Sequence, residues 1–122
     1  MEYIEEFTLD GKDFIYVDFS GLTSDMGYLA RIEMALSVIM NYPLDSLYLI
    51  ANAANVRFDS NTKKITAKYM TKLKPYIRYA VVIGTDGTKK LMITAAMNLV
   101  GVKNIHFAFT REKALEWLLK QG

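Results

Sequence analysis

The chain reads as an α/β protein: one mixed five-stranded sheet with an N-terminal β-hairpin and four main helices, in the order β-β-α-β-α-β-α-β-α. Three observations predict it. Asp10-Gly11 stands between two segments of alternating character, the strongest short-range signal of a hairpin. After it, short apolar runs alternate with longer segments whose apolar residues recur at helical spacing. Between these segments lie cap-forming residues and Pro or Gly stops, which punctuate helix starts and ends.

The hairpin comprises residues 2 to 9 and 13 to 19 around Asp10-Gly11-Lys12. In its second strand Ile15, Val17 and Phe19 share one face and Phe14, Tyr16 and Asp18 the other. Apolar residues on both faces place that strand inside the sheet. Ser20 to Asp25 supplies a turn and cap-forming residues for a helix from Asp25 to Asn41. Leu29, Ile32, Leu36, Ile39 and Met40 mark its expected buried stripe, and Tyr42-Pro43 ends it, because the residue before proline is pushed out of the helical region.

The third strand, Ser46 to Ala51, gives way to Asn52-Ala53-Ala54-Asn55 and then to a helix capped by Asp59 or Ser60 that reaches Leu73. Ile65, Tyr69 and Leu73 are expected inward. Lys64, Lys68 and Lys72 lie on another face at spacing four, where like charges repel mildly. Lys74-Pro75 closes the helix. Tyr76 to Ile83 is the fourth strand, and the following helix, Thr88 to Val100, carries an expected apolar line of Leu91, Ala95 and Leu99 before Gly101 stops it. Asn104 to Phe109 is the fifth strand, and Thr110 caps a last helix that turns Ala114, Trp117 and Leu118 inward. Right-handed crossovers make the strands after the hairpin parallel, leaving one antiparallel edge strand.

With 122 residues, about half of them hydrophobic, residues 1–122 form one domain that can bury a core without staples. The absence of cysteine excludes disulfides and thiolate chemistry and suits a reducing compartment. The acidic start of the chain is unlike a signal peptide, and no apolar run reaches the roughly 18 residues that span a bilayer. A soluble, cytoplasmic protein is expected. The net charge of +2 hides an asymmetry: Arg57 to Lys90 holds nine basic residues against two acids, a net +7, and the remainder carries −5. Such a segment could be a solvated lysine face, or could meet an acidic partner, a phosphate-bearing ligand or a membrane surface. Nucleic acid is not the expected partner.

The stretches Tyr16-Val17-Asp18-Phe19-Ser20-Gly21-Leu22, Asn52 to Asp59, Lys74-Pro75-Tyr76, Ala80-Val81-Val82-Ile83-Gly84 and Ala114-Leu115-Glu116-Trp117-Leu118 span most of the chain in a fixed order. Taken together they resemble the STAS domain, in particular the stand-alone SpoIIAA-like bacterial proteins. The resemblance implies a regulatory or adaptor protein, and it points to a phosphorylated Asp-Ser-Ser-Gly word after the third strand. The comparable word here is Asp59-Ser60-Asn61-Thr62, with Asn61 at the serine position and Thr62 at the glycine position. Only Ser60 and Thr62 remain as candidate phosphoacceptors. Helix capping accounts for Asp59 and Ser60 without a switch.

Other constellations are thinner. Gly84-Thr85-Asp86-Gly87-Thr88-Lys89-Lys90 lies between a strand and a helix, so its amides could hold an anion; it lacks the glycine spacing of a P-loop, and a tight turn explains the glycines. A receiver domain needs paired acids after the first strand and an aspartate after the third, whereas Asp18 has no acidic neighbour and Asn52 holds the latter place. His106, the only histidine, sits in an apolar strand as a structural imidazole, so a triad or zinc site lacks parts. Asp18, Asp59 and Asp86 could share the strand-end rim, where three carboxylates could in principle hold a hard cation; ordinary caps and turns are the favoured account of them, and no metal or cofactor is expected.

Two functions follow. The first is a non-enzymatic adaptor that binds a protein through the rim after the third strand and the basic helix behind it, using Asn52, Asn55, Asp59, Ser60, Asn61, Lys64, Lys68 and Lys72. The second is a binder of a small apolar or anionic ligand, with Tyr16, Tyr28, Phe58, Tyr69 and Tyr76 lining an apolar pocket. Either is compatible with a homodimer.

Overall fold

The structure, a computed structural model, describes residues 3–103 and 105–122. Strands β1 (Ile4–Leu9) and β2 (Lys12–Asp18) form the hairpin, followed by α1 (Asp25–Ile39), β3 (Leu47–Asn52), α2 (Ser60–Leu73), β4 (Ile77–Ile83), α3 (Gly87–Leu99), β5 (Ile105–Ala108) and α4 (Arg111–Leu119). Residues 2 and 104, expected at strand starts, lie outside the described residues. Asp10 and Gly11 both have positive φ, 52° and 74°, the geometry that lets a two-residue turn follow the strand twist.

The sheet order is β1-β2-β3-β4-β5. β1 is antiparallel to β2, and each later neighbour is parallel. The fold class is therefore the one expected from the sequence. The register aligns Asp18 with Asn52, Asn52 with Ile83, and Ile83 with Ala108, so the four parallel strands stop at one level. That shared level is what makes a rim.

The two sheet faces are covered unequally. Ile15, Val17, Leu49, Ala80 and Val82 face a layer built from α1, α2 and α3, including Ile32, Ile39, Met70, Leu73, Ile93 and Met97. Phe14, Tyr48, Ile50, Val81 and Ile83 face α4, whose Ala114 and Leu118 are fully buried. Trp117 completes the cover: His106 stacks on it at 4.3 Å and Tyr79 meets it edge-on at 5.9 Å. His106 is thus an aromatic packing partner. Arg111 ties α4 to β1 through Glu5, at 2.9 Å, and lies over the Tyr16 ring.

Helix phase departs from the sequence expectation at three places. Met40 is 55% exposed, because α1 ends at Ile39 and its stripe runs through Tyr28, Ile32, Ala35 and Ile39. In α2, Ile65 is half-buried, and the fully covered line is Thr62, Thr66, Tyr69, Met70 and Leu73. Two threonines belong to this line because each hydroxyl has a partner: Thr66 donates to the Thr62 carbonyl at 2.8 Å and pairs with the Tyr28 hydroxyl at 2.7 Å. In α3 the expected line Leu91, Ala95 and Leu99 is wrong in phase; Ile93, Ala96 and Met97 are buried, and Leu91 and Leu99 are exposed.

Leu118 is the one large aliphatic side chain of α4 with no exposed surface. Leu118→Ala removes it from beneath the aromatic face and should lower stability by about 2–5 kcal/mol, read as a fall in urea midpoint with the slope unchanged.

Candidate functional site

The loops that leave the level strand ends form the candidate site, and most of their polar groups are spent on one another. Asn52, at the end of β3, donates from Nδ2 to the Tyr16 hydroxyl at 3.0 Å and accepts from the Ala54 amide at Oδ1, also at 3.0 Å. Its carbonyl accepts from the Phe19 amide, and the Ala54 carbonyl accepts from Gly21. Asp18 accepts from the Ser20 amide at 2.8 Å, and Arg31 donates to the Asp18 carbonyl.

Gly84 brings the loop after β4 against this bridge. Its φ is +79°, and a Cβ placed there would stand 2.8 Å from Ala54 Cβ and from Ala54 N. Both the positive φ and the close approach require glycine. Lys89 reinforces the junction: its ammonium donates to the Ala53 carbonyl at 3.1 Å.

This geometry changes the reading of the glycine-rich turn. Asp86 is the N-cap of α3 and accepts from the Lys89 amide at 2.9 Å. The protein's own carboxylate thus caps one amide of the helix start where Gly84, Thr85, Gly87, Thr88 and Lys89 could hold an anion, and the Lys89 ammonium is directed to a carbonyl. Among the described residues the buried Thr85 hydroxyl has no hydrogen-bond partner.

A second knot joins the starts of α1 and α2. Asp59 is the N-cap of α2, its Oδ1 accepting from the Asn61 amide at 3.0 Å, the Thr62 amide at 3.1 Å and the Thr62 hydroxyl at 3.1 Å. Arg57 bridges Asp25 and Asp59 at 3.2 Å each, and Asn61 reaches Asp25 at 3.4 Å. The Thr62 amide hydrogen bond, supported by the Thr62 hydroxyl, the Arg57 charge and the Asn61 amide, holds the Asp59 carboxyl below its ordinary pKa. Arg57 was expected only as one charge in a basic run. Its partner Asp25 is 32 residues distant, so local spacing carried no sign of the bridge.

The expected binding residues consequently separate. Asn55, Ser60, Asn61, Lys64, Lys68 and Lys72 are exposed, Asp59 is half-covered and Asn52 is structurally engaged. Ser60 presents its side chain at the first turn of α2. Thr62 is 1% exposed, and its hydroxyl also donates to the Arg57 carbonyl at 3.2 Å, so it is not offered to solvent. Asp18, Asp59 and Asp86 each serve a turn or a cap. Among the described residues no cluster of three or more metal-binding side chains occurs.

Between the sheet and α1–α3 lies an apolar cavity of about 80 Å³, bordered by Val17, Phe19, Tyr28, Phe58, Thr66 and Met97 among others. Of the five aromatic residues expected to line a pocket, Tyr28 and Phe58 do so. Tyr16 packs on the opposite sheet face, beside α4, and neither Tyr69 nor Tyr76 borders the cavity. Burial pushes the Tyr28 hydroxyl up to about 12, with the Thr66 hydrogen bond partly opposing the shift, so this wall carries no charge near neutrality. A wider crevice of about 330 Å³ lies at the other end of the sheet, bordered by Lys74, Ile77 and Lys103.

The fold defined by this sheet and its helices is the SpoIIAA-like, or STAS-like, fold. An uncharacterised protein of the DUF3478 family from Shewanella loihica PV-4, described as having a SpoIIAA-like fold, superposes with a TM-score of 0.70 at 14% identity, over 94% of this chain and 91% of the other. An anti-sigma factor antagonist from Mycobacterium paratuberculosis superposes with a TM-score of 0.54 at 22% identity, over 96% of this chain and 93% of the other. No protein-family model and no curated protein matches the chain. Among the described residues no helix is long and apolar enough to cross a membrane.

Two outcomes test the rim. Gly84→Ala should destabilise the protein by about 1–3 kcal/mol through strain and the clash at Ala54, whereas Gly87→Ala, with nothing within 4 Å of the added Cβ, should be neutral or mildly stabilising; urea denaturation separates the two. The lowered Asp59 pKa makes its contribution complete above the unfolded carboxylate value of about 3.9. That contribution is lost as pH falls through the lower folded-state value. Asp59→Asn keeps a cap-forming side chain and removes the titration. The melting-temperature gap between wild type and this variant should therefore be larger at pH 7 than at pH 2, and an equal gap at both would show that ionisation contributes nothing.

Proposed function

We propose that this protein is a non-enzymatic regulatory or adaptor domain that docks a protein partner on the rim after β3 and the adjoining outer face of α2. The observation that carries the reading is the continuity of that surface. Asn55, Ser60 and Asn61 are exposed at the rim, and Lys64, Lys68 and Lys72 continue along the same helix. Lys68 and Lys72 flank the Tyr69 ring, with their ammonium groups 5.7 and 5.2 Å from its centroid. A row of cations beside neutral hydrogen-bonding groups suits an acidic protein surface, where charge governs encounter rate and choice of partner. The rim is braced by Asn52, Gly84 and the Arg57 bridges, so a partner would meet a preorganised surface, which lowers the ordering cost of binding. The anti-sigma factor antagonist of the same fold lends support, being by name a protein that acts on another protein.

Ser60 is the residue through which such docking could be regulated, being the exposed hydroxyl of the Asp59-Ser60-Asn61-Thr62 word. A cytoplasmic setting accords with the cysteine-free composition.

A second reading, binding of a small apolar molecule, is favoured by the cavity beneath α1–α3. Its volume of about 80 Å³ is well below the roughly 300–1,000 Å³ of drug-sized ligand sites, which limits an occupant to a few heavy atoms. A small molecule retained in native mass spectra of freshly purified protein would support it, and repeated clean spectra would count against it.

For the docking reading, Lys68→Glu with Lys72→Glu should abolish capture of the partner from a lysate. The melting temperature should stay within a degree or two, because surface substitutions of this kind usually change stability by less than about 0.5 kcal/mol. Lys113→Glu on α4 with Lys120→Glu at its C-cap should leave capture intact. An unaltered partner list for the α2 variant would sink the proposal.

A further inference from the structure

We infer that the outer face of α3 is a self-association surface, which binds the same face of a second copy of this chain across a two-fold axis at Ala95. The inference concerns a different surface from the rim and α2.

The first observation is the face itself. Gly87, Thr88, Leu91, Asn98 and Leu99 are exposed and Ala95 is half-covered, and none of them is ionisable. Each of the other three helices places charge in solvent: Glu33 on α1, Lys64, Lys68 and Lys72 on α2, and Glu112, Lys113 and Glu116 on α4. A solvent-facing helix face ordinarily carries its polar and charged residues there. Here that face instead exposes Leu91 at 74% and Leu99 at 71%. Phe109, 87% exposed, stands beside the N-terminal end of this helix, since the Lys90 ammonium lies 5.6 Å from its ring. Scattered exposed apolar residues need no explanation, but a contiguous apolar strip points to a contact.

The second observation is the symmetry of the strip. Leu91, Ala95 and Leu99 form an i, i+4, i+8 row, the type of ridge that interdigitates in the commonest class of helix pairs. Reversal about Ala95 exchanges Leu91 with Leu99, so the row is its own complement when two copies run antiparallel. A two-fold interface demands that self-complementarity. The small residue falls at the crossing point, where helix axes approach to about 8 Å only if side chains there are short.

Charge favours the same occupant. Lys90 lies near the α3 N-terminus with its ammonium beside the exposed Phe109 ring, and the last turn carries no basic residue. Antiparallel pairing sets this positive end beside the negative dipole end of the partner's helix, and no like charges are brought together on the strip. An α2-to-α2 pairing would oppose two rows of lysines. One helix pair with a flanking Phe109 covers less than the roughly 800 Å² per partner of a standard interface. The association is accordingly reversible, with a dissociation constant on the order of tens of micromolar.

Sedimentation velocity over about 5–500 µM, a range that brackets this constant, should show the wild type passing from monomer to dimer. Leu91→Glu with Leu99→Glu should weaken association at least tenfold and leave the melting temperature unchanged, because both positions are in solvent. The absence of native cysteine gives a second measurement: Ala95→Cys places two thiols across the axis within disulfide reach and should oxidise to a covalent dimer, whereas Ser37→Cys, exposed on α1, should not. A wild type that stays monomeric throughout overturns the inference. So does a dimer indifferent to the Glu substitutions, or equal oxidation of Ala95→Cys and Ser37→Cys.

Discussion

The contact between Gly84 and Ala54 is the constraint on which the rim depends. At that point two loops leaving neighbouring strands pass with no room for a side chain on one of them, so the level at which β3 and β4 stop is fixed by backbone sterics and not by a flexible ionic contact. Asn52 then converts the fixed level into a network, holding Tyr16 on one side and the Ala54 amide on the other. Lys89 reaches the Ala53 carbonyl from α3. Strand ends, loops and a helix start are thereby tied within a few residues of one glycine.

This bracing also limits chemistry. Asp18, Asp59 and Asp86, the rim carboxylates, each accept from backbone amides in turns or caps, and Arg57 is shared between two of the acids near α2. Groups committed in this way give the rim a fixed shape and a fixed arrangement of charge. The exposed residues that remain, from Asn55 through Lys72, form a continuous strip beside the braced network.

Much of the fold was legible in the sequence because local signals agreed with the global arrangement. The Asp10-Gly11 turn and the caps Asp59 and Thr110 carry conformational information at single residues, whereas Lys74 stays helical before Pro75 and the chain continues as a short 3-10 helix, Lys74–Tyr76, before β4 begins at Ile77. The two-sided apolar pattern of Phe14 to Val17 correctly placed β2 inside the sheet. Helix phase was harder to read. In α3, two alternative apolar rows exist, and only the neighbouring layer determines that Ile93, Ala96 and Met97 turn inward. In α2, Thr62 and Thr66 read as polar surface until their hydroxyl partners are known. The candidate site was legible as a location and not as a network: Tyr16 with Asn52, Arg57 with Asp25, and Lys89 with Ala53 are pairs separated by more than 30 residues. A single sequence shows no periodicity over such distances.

The unequal layering of the sheet bears on the order in which the chain can fold during synthesis. Helices α1, α2 and α3 are made between the strands they cover, so one face of the sheet closes as it is built. The other face, with Phe14, Tyr48, Ile50, Val81 and Ile83, waits for Ala114 and Leu118, which emerge after all five strands. Until α4 leaves the ribosome, the nascent domain displays an aromatic and aliphatic sheet surface of the kind that chaperones bind and neighbouring chains aggregate upon. The shortest of the four helices is therefore the one that ends the domain's most vulnerable interval.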